Sequence, residues 1–390
     1  MKILVTTFGL YKGSGWGRIF AEAKGLSELG HEVTMLCSST EIRRIYKSFY
    51  EEGVRITCFS DIIPKRYLST GYGFLSLLFK LVYCVFHAYD ICLSNSHRDN
   101  SYYPCAVNRF FHRSKLVIEW WDNFKIKQDR IRPNHIMSRF LKQRDIKREI
   151  TTKLQADGVV ALASLTARRA KDIGISSKKI KIVRGGCDIM HIAYHPFPSK
   201  DIKAKYNITD DCLTFGLIGD GDLELDDIGV FLEVLIELKQ TYNIKFLNYG
   251  RPFKNLLTKR PEFKELLFEC GWIDYYSDTS VLSATDVFVL IKQDNTENQS
   301  GWPNKLGDYL ACGRPVIINP YGELIPFIQE WNPGFILVEN SKASIFKGIT
   351  DICGGKYDLR KMGDLNHDIA RSNTWYHRAQ ELNSFFDELK

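Results

Sequence analysis

The sequence predicts an α/β protein of two domains, each built on a parallel sheet. Three observations carry that expectation. The chain has 390 residues, enough for two separate cores. It opens with a strand–helix–strand pattern, and a second alternating series begins at Leu213. Between the two, Pro196, Pro198 and the polar run 199–205 read as a linker.

The first strand, 2–8, is a β-branched run that ends at Gly9. A glycine-rich loop follows, GSGWGR at 13–18, and then a helix to about Leu29 that stops at Gly30. The next strand is 31–37. The loop resembles a dinucleotide fingerprint, but the acid that would hold a ribose at the end of the second strand is replaced by Cys37, Ser38 and Ser39. A nicotinamide dehydrogenase is therefore disfavoured. The glycines still allow the backbone to approach a phosphate or sugar closely.

Further strands are predicted at 53–59, 90–95, 115–120, 157–162 and 180–184. The run LVIEWWD at 116–122 sets Glu119, Trp120, Trp121 and Asp122 at the carboxyl end of a central strand, where open α/β sheets place ligands. Asp122 reads equally as a functional carboxylate or a loop cap. His97, in the loop after the preceding strand, fits a structural or acceptor-facing place better than a catalytic one. His191 and His195 are four apart, but Pro196 argues against a helical metal pair.

In the second series, strands are predicted at 213–218, 244–249, 286–291, 315–318 and 335–338. Helices are predicted at 227–240, 261–269, 303–312, 323–330 and 342–352, with a further helical stretch from Asp368. The acidic run 220–227 fails as a calcium loop, since Leu225 and Phe231 stand where Gly and Glu are needed. It reads as a solvated loop before a helix. In 303–312, Pro303 suits a first helical turn, and Leu306, Tyr309 and Leu310 make an apolar face. Lys305 and Asp308 lie on one side near the start. That arrangement suits an anion such as a diphosphate, or equally an ordinary amphipathic surface helix.

Composition narrows the class. An apolar fraction of 44% and a charged fraction of 25% are those of an ordinary folded protein. Ten single cysteines without a C-x-x-C predict reduced thiols in a cytoplasmic setting, with neither a disulfide framework nor a zinc site. The opening MKILVTTF is too short and β-branched for a signal peptide. The most apolar run, 74–86, is broken by Lys80 and falls short of the roughly 20 residues that cross a bilayer. Net charge is +7, and the segment 123–153, with ten basic and three acidic residues, accounts for it. This segment suits an anionic membrane surface, acidic substrates, or simply a solvated basic helix.

Several segments, in order, resemble the two-domain GT-B glycosyltransferases of family 4, also called glycosyl transferases group 1, which are retaining and nucleotide-sugar dependent. These are EAKGLSELGHEVTML at 22–36, ADGVVALAS at 156–164, IKIVRGGCD at 180–188, TDVFVL at 285–290 and PNKLGDYLACGRPVII at 303–318. The resemblance implies two Rossmann-like domains with parallel sheets facing a central cleft, and a C-terminal helix crossing back. It sets an acceptor domain at 1–195, a nucleotide-sugar domain at 212–365 and a crossover helix at 366–390. It implies transfer of a sugar to a glycan or lipid-linked acceptor in cell-surface polysaccharide or glycolipid assembly, with the nucleotide-diphosphate sugar as co-substrate. No cofactor, metal or nucleic acid is expected. Peripheral contact with an anionic membrane is expected through 123–153, at the inner face.

Residue by residue, the resemblance places Asp308 at the ribose hydroxyls and Lys305, with Trp302 and Asn304, at the diphosphate. Trp272 lies beside the base, and Gly15 and Gly17 against phosphate and sugar. Asp122 orients sugar or acceptor hydroxyls, Lys305 supplies positive potential to the leaving group, and His97, Glu119 and Trp121 face the acceptor. The chain departs from the family in three places. The Arg and Lys usual after the first strand of the second domain are replaced by the acidic 219–227 segment. The first Glu of the E-x7-E pair is Ser300, and the second is shortened to Asp308. Lys305, Arg251 and Arg18, in that order, are the cations left for the diphosphate. These departures keep two alternatives open: a catalytically weak glycan- or nucleotide-sugar-binding relative, and a nucleotide-sugar epimerase on the same fold.

Overall fold

The computed structural model describes residues 1–13, 15–41, 44–61, 73–121, 136–275 and 278–390, with the backbone alone of 136–142. These form two compact units. The first comprises Met1–Gly185, Gln299–Trp302 and Trp375–Lys390, and the second Gly186–Asn298 and Pro303–Thr374.

The first unit runs β1 (Lys2–Leu10), α1 (Trp16–Glu28), β2 (Glu32–Ser39), β3 (Tyr46–Glu51), β4 (Val54–Ser60), α2 (Phe74–Phe86), β5 (Ile91–Ser94), α3 (Asp99–His112), β6 (Lys115–Trp120), α4 (Ile136–Gln155), β7 (Gly158–Ala161), α5 (Ser164–Asp172) and β8 (Ile180–Ile182). Its sheet has the order β3-β4-β2-β1-β5-β6-β7-β8, parallel except for β3. Apart from the edge strands β3 and β8, the strands are centred on short apolar runs covered on both faces, as parallel sheets require. The sequence reading lacked β3. It is a polar edge strand with Tyr50 67% exposed, turned back onto β4 through Glu52 and Gly53, both at positive φ.

The second unit runs α6 (Lys200–Lys205), β9 (Leu213–Asp220), α7 (Gly221–Leu238), β10 (Ile244–Arg251), α8 (Lys254–Lys259), β11 (Leu267–Gly271), β12 (Val287–Leu290), α9 (Thr296–Gln299), α10 (Lys305–Ala311), β13 (Val316–Ile318), α11 (Leu324–Trp331), β14 (Phe335–Leu337), α12 (Lys342–Cys353) and α13 (Leu359–Ser372). The strand order β11-β10-β9-β12-β13-β14, all parallel, is the doubly wound order. The helix expected at 261–269 is instead a 3₁₀ turn, Pro261–Glu265, and then edge strand β11. Phe263, Leu266 and Leu267 are all buried, so their spacing served a turn and a strand rather than one helix face. The expected loop 220–227 is the start of α7.

The helical stretch expected at the C-terminus is two helices. The first, α13, belongs to the second unit, while α14 (Trp375–Glu388) returns to the first. Ala379, Leu382, Phe385 and Phe386 of α14 join the core made by Ile19, Phe20, Ala23 and Leu26 of α1. Gly25 permits this close packing. A Cβ there would stand 2.7 Å from that of Ala379 and 3.0 Å from the Trp375 carbonyl oxygen.

Candidate active site

Doubly wound sheets bind ligands beyond the carboxyl ends of their strands, where the strand order reverses. In the second unit the reversal lies between β9 and β12. The first ends at Gly219 and Asp220, and the second is followed by Ile291 and Lys292. Asp220 caps α7 by accepting the Leu223 N–H at 3.4 Å. The helix then turns Glu224 and Asp227 inward. The Glu224 carboxylate accepts Lys305 Nζ on one oxygen at 2.8 Å and Lys292 Nζ on the other at 2.6 Å. Asp227 accepts Lys292 Nζ at 2.9 Å. These four side chains retain 14–16% exposure. Gly219 leaves the room they need, since a Cβ there would lie 3.0 Å from Lys305 Nζ.

The charges tune one another. Burial raises the Glu224 carboxyl, but Lys305 and Lys292 together outweigh it and hold the group below its ordinary value. Burial lowers Lys305, with Lys292 adding repulsion, and Glu224 only partly restores it. Burial also disfavours the Lys292 cation, yet with two carboxylates its value ends up raised.

One turn along α10, Asp308 accepts the Tyr275 hydroxyl at 3.0 Å. Burial pushes its carboxyl up to about 7, with the charge of Asp188 adding, against Tyr275 and Lys305. The helix is held to the sheet by Tyr309. Its ring stacks on Phe288 at 4.1 Å, and its hydroxyl accepts the Ile218 N–H at 3.1 Å. Because α10 spans only seven residues, the positive charge at its start is that of Lys305 itself. Asn304 is exposed at the cap position and makes no side-chain cap bond.

Arg251, at the end of β10, pairs with Asp220 at 3.2 Å and lies 6.0 Å from the ring of Trp272. Trp272 follows Gly271 (φ 79°) and is 77% exposed. Trp302 is grouped with the first unit, its ring 5.9 Å from the Arg184 guanidinium.

In the first unit the order reverses between β1 and β5. The groups there are neutral and buried. Asn95 donates to Thr7 Oγ1 at 3.0 Å, Ser101 donates to Asn95 Oδ1 at 2.9 Å, and Thr6 donates to the Ser101 carbonyl at 2.8 Å. Arg18 lies deeper, 2.7 Å from Glu22, 3.3 Å from Glu119 and 3.2 Å from the Val183 carbonyl. Burial raises both carboxyls, with Arg18 opposing. The second oxygen of Glu119 accepts the Trp121 indole N–H at 2.8 Å, and a Cβ on Gly15 would meet that indole at 3.2 Å. Gly17 faces open space, so no neighbour dictates its glycine. His97 is buried, and burial lowers its basicity, with Lys153, Arg98 and Arg148 adding. Asp122 lies outside the described residues.

Lys305, Arg251 and Asp308 of the expected site therefore gather on the carboxyl edge of one sheet, with Trp272 beside Arg251. Each of the three expected cations already has a carboxylate: Lys305 has Glu224, Arg251 has Asp220, and Arg18 has Glu22 and Glu119. The sequence reading missed Lys292, Glu224, Asp227 and Tyr275. Two signals pointed to the first three, a lysine directly after the buried run 287–291 and two acids three apart on one helix, and none to Tyr275.

No protein-family profile matches the chain. A stretch of 239 residues is 21% identical to an uncharacterised glycosyltransferase of Methanocaldococcus jannaschii, covering 60% of this chain and 59% of that protein's length. Among solved structures, sucrose-phosphate synthase from Thermosynechococcus elongatus superposes with a TM-score of 0.74 at 14% identity, over 100% of this chain and 99% of that one. HepE of Anabaena, in complex with UDP and glucose, gives 0.70 at 12% identity over 98% of both chains. WaaG, a glycosyltransferase of lipopolysaccharide biosynthesis, gives 0.69 at 10% identity over 97% and 98%. At such identities the likeness establishes the fold. The chain has the GT-B fold of two parallel-sheet α/β domains.

Proposed function

We propose that this chain is a retaining glycosyltransferase of the family 4 kind, moving a sugar from a nucleotide-diphosphate sugar to a glycan or lipid-linked acceptor. The observation that carries this reading is the convergence of Lys305, Lys292 and Asp308 at the strand-order reversal of the second unit. A sugar–phosphate bond that opens through an oxocarbenium-like state builds charge on the departing diphosphate. Preorganised cations stabilise that charge where it appears. Lys305 takes this role, Asp308 receives the ribose hydroxyls, and Trp272 and the backbone at Gly271 lie beside the base. Gly15 and Gly17 leave room for phosphate and sugar, Asp122 orients hydroxyls, and His97, Glu119 and Trp121 serve the acceptor. The UDP-glucose complex of HepE supports uridine donors as the first to try.

The test is a thermal-shift screen against UDP-, GDP-, ADP-, dTDP- and CMP-sugars, followed by turnover of the donor that stabilises the chain. Lys305→Ala is expected to lower kcat by about 10²–10³, as loss of one charge-stabilising donor does, and Asp308→Ala to raise KM. Unchanged turnover in both variants would remove the site assignment. One observation favours a second reading, a binding relative with little turnover: the expected cations are already neutralised. That reading predicts donor binding without transfer.

Membrane contact at the inner face is part of the proposal. On α4, Asp145 and Glu149 are buried while Lys147 is exposed, and α2 presents Phe74, Leu78, Val82 and Phe86 to solvent. Exposed apolar side chains on one helix and basic ones on another each suit contact with an anionic bilayer. Arg144 and Arg148 pair with Asp99, so the informative variant is Lys142→Glu with Lys147→Glu. It is expected to reduce sedimentation with phosphatidylglycerol vesicles, and unaltered sedimentation would overturn the contact.

A further inference from the structure

We infer that Lys292 is a second cation of the diphosphate subsite, and that Glu224 is a built-in stand-in for the phosphate, displaced when the donor binds. The inference rests on the nucleotide-sugar reading above and deepens it.

Glu224 bridges two ammonium groups, one on each carboxylate oxygen, at 2.8 and 2.6 Å. A diphosphate presents pairs of oxygens with a similar bite and, with one negative charge on each phosphate, more charge in total. It can therefore take the same two donors as charge-assisted hydrogen bonds. The place is right for such a ligand, at the carboxyl end of β9 where the strand order reverses, beside Gly219, whose missing Cβ makes room for Lys305 and Glu224.

The two carboxylates of the cluster differ in how they are held. Asp227 accepts from Lys292 and also from the Gln293 N–H at 2.9 Å and the Asn298 amide at 3.3 Å. Glu224, among the described residues, bonds through its carboxylate to the two lysines alone. Asp227 is therefore anchored and Glu224 is releasable. Lys292 itself is fixed: its N–H donates to Asn319 at 2.8 Å, and its carbonyl accepts from Asn319 at 2.8 Å and Asn340 at 3.2 Å. With Glu224 in place the cluster of two lysines and two carboxylates is neutral. With Glu224 withdrawn it offers a net positive charge to an incoming diphosphate. Glu224 and both lysines keep about 15% of their side chains exposed, which leaves the pair within reach of an incoming ligand.

Calorimetric titration of the full chain with inorganic pyrophosphate, and separately with UDP, tests the inference. Glu224→Gln is expected to bind pyrophosphate about tenfold more tightly, Lys292→Ala about tenfold more weakly, and Lys292→Arg about as well as the natural chain. Equal or weaker binding by Glu224→Gln, or unchanged binding by Lys292→Ala, overturns it. Should Glu224→Gln fold poorly, the Lys292→Ala and Lys292→Arg pair decides alone. UDP-sugar turnover that proceeds normally while neither substitution alters pyrophosphate affinity refutes the stand-in and leaves the transferase. The reverse pattern, tighter pyrophosphate binding by Glu224→Gln with no sugar donor bound or turned over, upholds the stand-in and refutes the transferase.

Discussion

The two units share a doubly wound core, to which the first adds strands β3 and β8 at its edges, and they differ in what they place where the strand order reverses. In the first, hydroxyls and amides of Thr6, Thr7, Asn95 and Ser101 satisfy one another in a buried network. In the second, four ionised side chains meet with water still in reach. The first unit has its charges too, but inside. The Arg18 side chain is 2% exposed between Glu22 and Glu119, against 15% for Lys305. A fully desolvated cation cannot exchange partners without a large penalty, whereas a partly exposed one can. On the proposed function Arg18 is a strut, and Lys305 is a contact.

The largest expected effect would break or confirm that contrast. Arg18→Ala leaves two buried carboxylates without their cation and is expected to cost about 3–5 kcal/mol of stability in denaturant unfolding. Lys305→Ala removes a partly exposed partner of Glu224, which keeps Lys292, and is expected to cost about 1 kcal/mol or less. Equal costs would mean that Lys305 is a strut as well. On the proposed function the comparison also separates readouts, with Lys305→Ala expected to act on donor turnover in a chain that still folds.

The same contrast marks what the sequence made legible. Fold class was readable because short apolar runs alternate with helical periods, which is a local signal. The two strands it lacked, β3 and β11, are edges: one is polar and exposed, and the other follows Pro261 in a run whose spacing also fits a helix. Lys305 and Asp308 were readable because they lie together in one short motif. Their partners were not. Glu224 is 81 positions from Lys305 and 68 from Lys292, and Glu119 is 101 from Arg18. Such pairs are made by sheet topology, and no window of sequence contains both members. The acids at 220–227 were visible as composition. Only the start of α7 at Gly221 shows which of them face inward.

Asp308 gives the smallest and most specific prediction, and it runs in opposite directions for stability and for binding. Its carboxyl is raised to about 7 in the folded chain, chiefly by burial. In the unfolded chain an aspartate titrates near about 3.9. Between those values the folded state holds a proton that the unfolded state has lost. The stabilising contribution of the protonated form is therefore complete below about pH 4 and is lost as pH rises through about 7. Above that, the ionised group is a burden on the fold, relieved in part by Tyr275 and Lys305. Asp308→Asn, a neutral isostere, is expected to melt a few degrees above the natural chain at pH 8, with the difference narrowing to about a third at pH 5 and closing near about pH 4. A ribose that needs the ionised carboxylate as acceptor imposes the opposite trend, with donor affinity falling as pH drops below about 7. Melting curves and UDP titrations at pH 5 and pH 8 read both trends on one pair of proteins. An equal melting difference at both pH values would show that Asp308 is ionised throughout, and that its burial shapes neither stability nor donor binding. That outcome would return Asp308 to the class of ordinary surface carboxylates and leave Lys305 as the sole contact on α10.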